Sequence, residues 1–550
     1  MRLLLLGLLL CAACAHKRPS AVTPRITVWS AGKIRTQDAK AATVQAIVVH
    51  EGKIAFLGTR AAALAYAGPG AAVEDFPEAV IVPGLVDAHA HLLSLGRSLS
   101  IARLNGARTS QEAVELLEKA GPGSFQGEWL VGRGWDQNDW SSKEFPDRGL
   151  LDAKFPLHPV YLSRVDGHAA WVNAKALQAA NITAHTEDPA GGRILRDAAG
   201  EPTGVLIDNA MDLVSSLIPR ASDEQLRSRL TAAIERCASV GLTGIHDAGM
   251  EWAAFMQLQE WDARAELKIR IYAMADGQGA DAPAYLKAGV FEGKKLRMRA
   301  VKLVADGALG SRGAALHAPY ADEPAQSGLL LLTREELQQK ARAFADKGFQ
   351  VAIHAIGDKT NTLVIDVLSE LEKNKPGGRH RVEHAQILRK EDVPRFAASN
   401  LIASFQPTHA TSDMPWAAAR VGEERLKFAY AWRALLDTGA HIAFGSDFPV
   451  EDPEPLAGLY SARTRQDPLG KPEGGWHPEQ RVSAEEALAA FTSGSAYAEF
   501  AEERRGALSL GMDADFVVLS VDPISATPAE LLKGKVKATV VGGAEVFRAP

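Results

Sequence analysis

Six residues spread over more than half of the chain each close a short apolar run, and their side chains could meet at one divalent ion. They are His89 and His91 in AVIVPGLVDAHAH, Lys302 in RAVKLVADG, His354 in GFQVAIHAIGD, His384 in HRVEHAQ and Asp447 in HIAFGSD. Imidazole and carboxylate are the usual ligands of zinc and its neighbours. His89 and His91 are two apart, so on a strand both project from one face and can reach one ion. Lys302 breaks the run VKLV, and alternation sets it on one face with Ala300, Val304 and Asp306. A lysine inside a core is costly unless it is paired or chemically altered. Burial favours the neutral amine, and a neutral amine can take up CO2 to become a carbamate that bridges two metals. Asp447 could bind metal and accept a proton from activated water. A site of this kind is hydrolytic.

Each residue also has a plainer reading. His89 and His91 could lie in a turn, and Lys302 could be a surface or salt-bridged lysine. His354 and His384 could be hydrogen-bonded core residues, and Asp447 the N-cap of a following helix. What favours the metal reading is shared position, because all six sit where strands end.

The strands that must position them recur along the chain. After AVIVPGLVDAHAH come TGIHDAG, IRIYAMA, RAVKLVADG, GFQVAIHAIGD, HRVEHAQ, NLIASFQP and HIAFGSD, eight in all, several separated by amphipathic stretches such as REELQQKARAFADKG. Eight β/α units in series predict an α/β fold, a TIM (β/α)8 barrel, with catalytic groups at the C-terminal strand ends. Residues 81–499 would form this barrel. Short strand-like runs at 26–80 and 500–548 are too few in each piece for an independent sheet, and together predict a composite β-sandwich from both termini. The stretch 95–235 is too long for one connection and reads as an inserted α/β subdomain over the barrel mouth.

Composition sets the outer limits. At 550 residues and 46% hydrophobic, the chain can bury a large core in more than one domain, and a net charge of −6 without a basic run excludes nucleic acid as a partner. The first 14 residues read as a signal peptide: Arg2, an apolar run from Leu3 to Leu10, then small residues before Cys14. A run this short does not span a bilayer, which takes roughly 20 residues. Cys14 is then a lipidation site, Cys11 standing where such signals usually carry leucine, and residues 15–25 a spacer. The expected location is the periplasmic side of a bacterial envelope, anchored by lipid, with free secretion as the alternative. Once Cys14 is lipidated Cys237 remains alone, so no disulfide framework is available.

The order H-x-H, Lys, His, His, Asp, framed by PGLVDAHAH and the late strand ADFVVL, resembles the metal-dependent amidohydrolase superfamily. Longer motifs resemble its third family, the YtcJ-like amidohydrolases related to N-substituted formamide deformylase. They are GRGWDQNDW (132–140), SRVDGHAAWVN (163–173), VKLVADGALGSR (301–312), HAIGD (354–358), RVEHAQ (381–386) and GSDFPV (445–450). The resemblance implies that His89, His91 and Asp447 hold a more buried ion, that His354 and His384 hold a second, and that carbamylated Lys302 bridges them. One or two divalent ions are expected, zinc first, with manganese, iron or nickel also compatible. The implied activity is hydrolysis of a non-peptide C–N bond in a small amide, formamide or cyclic amide, with Asp447 as the proton-handling residue. Esterase, lactonase or phosphotriesterase action by the same centre is one alternative, and a non-catalytic exported binding protein another. Trp135, Asp136, Arg164, Asp166 and His168 in the insertion are candidate substrate contacts, with packing of the subdomain as the competing role. His246 and Asp247 could shape the pocket or form a structural pair.

Overall fold

A computed structural model describes residues 26–550 apart from 41, 122–124, 127 and 220. The signal-like segment and Cys14 lie outside the described residues. Three sheets organise the chain.

The first sheet joins the two ends. Strands Thr27–Arg35, Thr43–His50, Lys53–Gly58 and Ala72–Pro83 continue into Phe516–Leu519, Val536–Val541 and Ala544–Arg548 as one seven-stranded path. Phe516–Leu519 pairs antiparallel with Ala72–Pro83, which is the seam between the termini. Alternation splits each strand between two environments. Trp29, Ile81, Phe516 and Val518 enclose a core of their own, whereas Val82, Val517 and Leu519 pack into the barrel's cluster.

The apolar run AVIVPGLVDAHAH is two strands rather than one. Its first half ends the composite sheet at Pro83, and its second half, Leu85–Ala90, opens the barrel. The break falls at Gly84, where a Cβ would lie 2.3 Å from Thr243 Oγ1, so only glycine lets the chain pass between the two layers.

The barrel strands follow in parallel order: Leu85–Ala90, Leu242–Met250, Arg270–Asp276, Leu296–Val304, Gln350–Ala355, Arg381–His384, Ile402–Phe405 and His441–Phe444. Leu85–Ala90 and Gln350–Ala355 are buried at every residue, as expected of parallel strands covered on both faces. The helices between them follow the period-3.6 rule. In Arg334–Asp346, a Thr333–Glu336 capping box starts the helix and Leu337, Ala341, Phe344 and Ala345 form its buried stripe.

No ladder joins the eighth strand to the first among the described residues. Side chains close that seam instead: Asp87 accepts from Ser446 Oγ at 2.6 Å and from Ser446 N at 3.1 Å. Asp447 N donates to His89 O at 2.7 Å, and His91 N donates to Phe448 O at 2.9 Å. These bonds bring Asp447 beside His89 across 358 residues of sequence.

The insertion is a seven-stranded mixed sheet built from residues 102–208, with cores on both faces. It is shorter than the sequence boundary of 95–235. The helix Asp223–Ser239 packs Leu230, Ala233, Ile234 and Cys237 into the barrel cluster, so it belongs to the barrel. Arg420 bonds Asn138 Oδ1 at 2.9 Å and holds the insertion to the loops above the strands. No described helix is long and apolar enough to cross a membrane.

Candidate metal centre

All six residues singled out from the sequence meet at the C-terminal mouth of the barrel. His91, Lys302, His354, His384 and Asp447 line a cavity of about 450 Å³, and His89 lies fully buried beneath it. Lys302 Nζ is 3.1 Å from His89 Nε2. Asp447 Oδ1 is 3.0 Å from His91 Nε2 and 3.5 Å from His89 Nε2. The His384 ring is centred 4.7 Å from that of His89 and 4.6 Å from that of His354.

His89 and His384 are each aimed by a partner on the far nitrogen. His89 Nδ1 bonds the buried carboxylate of Glu383, which leaves Nε2 facing Lys302 and Asp447. Glu383 is itself held by Arg381, with Nε 2.6 Å from Oε1. Burial opposes the charge of Glu383, but Arg381 and His89 hold its carboxyl well below the usual range. His384 Nδ1 lies 2.7 Å from Gln406 Oε1, so its Nε2 also faces inward. An acceptor on the outer nitrogen fixes the tautomer that presents a lone pair to an ion.

The backbone contributes to the aim. His384 has φ +70° and Asp447 φ +60°, a left-handed conformation uncommon for such residues. Arg381 and Glu383 point into the barrel by strand alternation, and the reversal at His384 turns its ring towards the mouth. Gly445 precedes the second reversal; a Cβ there would lie 2.4 Å from Asp87 Oδ1.

The electrostatics suit a cation. Burial lowers His89 to about 4, with Lys302 adding to the effect, and burial followed by neighbouring imidazoles lowers His384 further. Burial lowers His354 and Lys302 as well. The site therefore presents neutral imidazoles around Asp447, which burial would raise but His89 and a hydrogen bond from His91 keep well below the carboxylate range. His354 Nε2 is buried without a well-formed hydrogen bond, its nearest carboxylate oxygen being Asp306 Oδ1 at 3.4 Å. Stranding a buried polar atom costs about 1–3 kcal/mol, a cost that an ion would offset. The ligand atoms of His89, His384 and Asp447 lie within 4.8 Å of one another and could hold one ion. That trio draws on both of the groups implied by resemblance.

The insertion supplies the roof. Asp136, Arg164, Asp166 and His168 line the cavity. Trp135 does not; it is wholly buried in the subdomain core, bonds Leu162 O at 2.7 Å and packs against Trp140, Phe145 and Trp171. Aromatic bulk in GRGWDQNDW serves packing, which its sequence does not distinguish from a pocket wall. Arg164 reaches the cavity but bonds Asp136, Asp166 and Gln137, so its donors are taken up by its own subdomain. His168 bonds Asp208 Oδ1 at 2.7 Å; burial alone would lower it, but Asp208 raises it to about 9, giving an imidazolium 5.3 Å from the His354 ring. His246 is not a pocket residue, because its Nδ1 accepts from Arg381 at 2.9 Å. Asp247 accepts from Leu92 N at 3.2 Å.

Sequence reasoning passed over Glu383, Arg381, Gln406 and His409. The first two lie inside a quoted motif, and a charged pair two apart on a barrel strand was the available signal. His409, just beyond the seventh strand, lines the cavity with Nε2 3.8 Å from Asp447 Oδ2.

Comparison with known proteins agrees with this geometry. A model of the amidohydrolase family, its third, matches residues 73–547. A Bacillus subtilis protein named as an amidohydrolase, YtcJ, is 35% identical over 94% of this chain and 99% of its own. The N-substituted formamide deformylase of Arthrobacter pascens is 27% identical over 93% of this chain and 96% of its own. The crystal structure of an uncharacterised metal-dependent hydrolase from Pyrococcus horikoshii superposes with a TM-score of 0.75 at 28% identity, covering 92% of this chain and 99% of that one. With a family match over most of its length and a relative above 30% identity, this hydrolase belongs to the amidohydrolase family.

Proposed function

We propose that the chain hydrolyses a non-peptide C–N bond in a small amide, with a formamide as the first substrate to test. The observation that carries this reading is the convergence of His89, His354, His384 and Lys302 on Asp447 beneath a roofed cavity. His89, His91, His354, His384 and Asp447 are the residues that would hold one or two divalent ions. A bound ion supplies the Lewis acidity that makes water a nucleophile at neutral pH. Mixed imidazole and carboxylate ligands suit zinc best.

The protein's own groups do the rest. Asp447 takes the proton of the attacking water and returns it to the leaving nitrogen. His168, kept cationic by Asp208, faces the same cavity and suits a developing oxyanion. Uptake of CO2 by the Lys302 amine would form one N–C bond and release one proton, and Lys302 Nζ stands 3.1 Å from His89 Nε2 among the residues that would hold the ions. Formamide chemistry is favoured because a full-length relative is named for it.

The test combines metal analysis with a substrate panel. Purified protein should contain divalent metal and cleave N-substituted formamides or N-acyl amines faster than matched esters. Ester, lactone or phosphotriester cleavage without amide cleavage overturns the C–N assignment. We also propose export and lipid anchoring at Cys14, supported by the Arg2 to Cys14 layout. Cys14→Ser should shift the protein from the membrane to the soluble fraction, and unchanged membrane association refutes the anchor.

A further inference from the structure

We propose that Arg133 anchors an anionic group carried by the substrate, so that the preferred amide bears a carboxylate. The inference rests on the amidohydrolase reading above and deepens it.

Four arginines line the active-site cavity and a smaller one of about 140 Å³ that adjoins it. Three are neutralised within the protein. Arg164 bonds Asp136 and Asp166, Arg103 lies 3.5 Å from Asp452, and Arg236 pairs with Glu454. Arg133 alone has no carboxylate at ion-pair distance among the described residues. Its one hydrogen bond runs from a terminal nitrogen to Val165 O at 2.6 Å, and its Nε is buried with no partner. The acids whose charge reaches it are already engaged, Asp166 by Arg164 and Asp447 by His91.

Position gives this unpaired charge its meaning. Arg133 lines both cavities, as do Asn105 and Glu451, so it stands where they join. It lies on the strand Trp129–Trp135, and the adjacent Gly167 leaves its other terminal nitrogen uncovered, 3.6 Å from where a Cβ would sit. A guanidinium with free, partly desolvated donors is matched by a carboxylate, which can accept two parallel bonds. Glu451 and Asp413, two acids of the same wall, do not fill that role, because Glu451 accepts from Ser412 Oγ and Asp413 accepts from Tyr430 and Gln386. A carboxylate held at Arg133 leaves the rest of the molecule in the cavity that reaches Asp447. An N-acyl amino acid has this layout, with its amide carbonyl a few bonds from its carboxylate.

Two measurements test the proposal. In the first, kcat/KM is compared for N-acyl amino acids and their primary-amide analogues. Wild type should prefer the acid by about tenfold to a hundredfold, the range of one charged hydrogen bond, carried mainly by KM. Arg133→Met should bring the ratio near one, and Arg133→Lys should retain part of it. In the second, calorimetry compares hippurate with hippuramide as ligands, which requires no turnover. Equal affinities in wild type, or an acid preference that survives in Arg133→Met of unchanged metal content, overturn the anchor. Failure to cleave any amide while Arg133→Met abolishes the hippurate preference would leave the anchor standing and remove the proposed reaction. Cleavage of acids and neutral amides at equal rates would do the reverse.

Discussion

Glu383→Gln offers the sharpest probe of how this site is held. Glu383 touches no cavity atom, yet its carboxylate receives His89 Nδ1 and two nitrogens of Arg381, at 2.6 and 3.1 Å. Glutamine keeps the shape but removes the charge, and it leaves the fully buried Arg381 guanidinium with uncharged partners alone, one amide oxygen beside His246, Ala88 O and Ser404 Oγ. Two effects should separate. Loosening His89 should weaken metal binding by about 10- to 100-fold, equivalent to about 1.4–2.7 kcal/mol. Breaking the buried pair should cost about 3–5 kcal/mol of folding stability. Metal affinity is read by competition with a chelator, and stability by urea unfolding of the metal-free protein. Replacing both partners, Arg381→Met with Glu383→Leu, should recover much of the stability but not the affinity, because the buried charge is gone and His89 is still unaimed. The reasoning fails if Glu383→Gln binds metal within twofold of wild type, or if the double variant is less stable than the single.

Other outcomes follow from the same geometry. Asp447→Asn keeps the size but loses the proton acceptor, and kcat/KM at saturating metal should fall by about 10²–10⁴. A fall of less than tenfold would assign the proton to another group. Lys302→Ala should lose activity and regain part of it with short carboxylic acids, which replace the carbamate; wild type should show a carbamate carbon by NMR in labelled bicarbonate, and absence of that signal refutes the modification. His168 is raised from 6.5 to about 9, so its contribution is complete below pH 6.5 and lost as pH rises through about 9. In the metal-free protein, wild type should lose more urea stability than His168→Ala between pH 6 and 10, by about 3 kcal/mol. Parallel pH profiles would show that Asp208 does not hold the proton.

Much of this molecule was legible along the chain. Each barrel strand is a short apolar run, and burial is what local periodicity encodes. The six clustered residues stood out because a histidine, lysine or aspartate ending such a run breaks that pattern at the same point each time. That the two termini share one β-layer was legible for a related reason, since neither end has enough strands to stand alone, whereas its form as a single seven-stranded sheet was not. What remained hidden depends on partner choice. Whether Trp135 faces a pocket or a core is decided by Trp140, Phe145 and Trp171 around it. Whether Arg164 is free for substrate is decided by Asp136 and Asp166, which take its donors.

The sequence by itself determined the donor types, their order, and the strands that end in them, because those are properties of near neighbours. Tertiary structure alone decided their aim. Glu383 meets His89 from 294 residues away, Asp87 closes the seam that carries Asp447 from 359 residues away to Ser446, and backbone reversals at His384 and Asp447 turn the side chains to the mouth. Hydrogen-bond partners across such separations are chosen by barrel closure and sheet register, which no window of sequence contains.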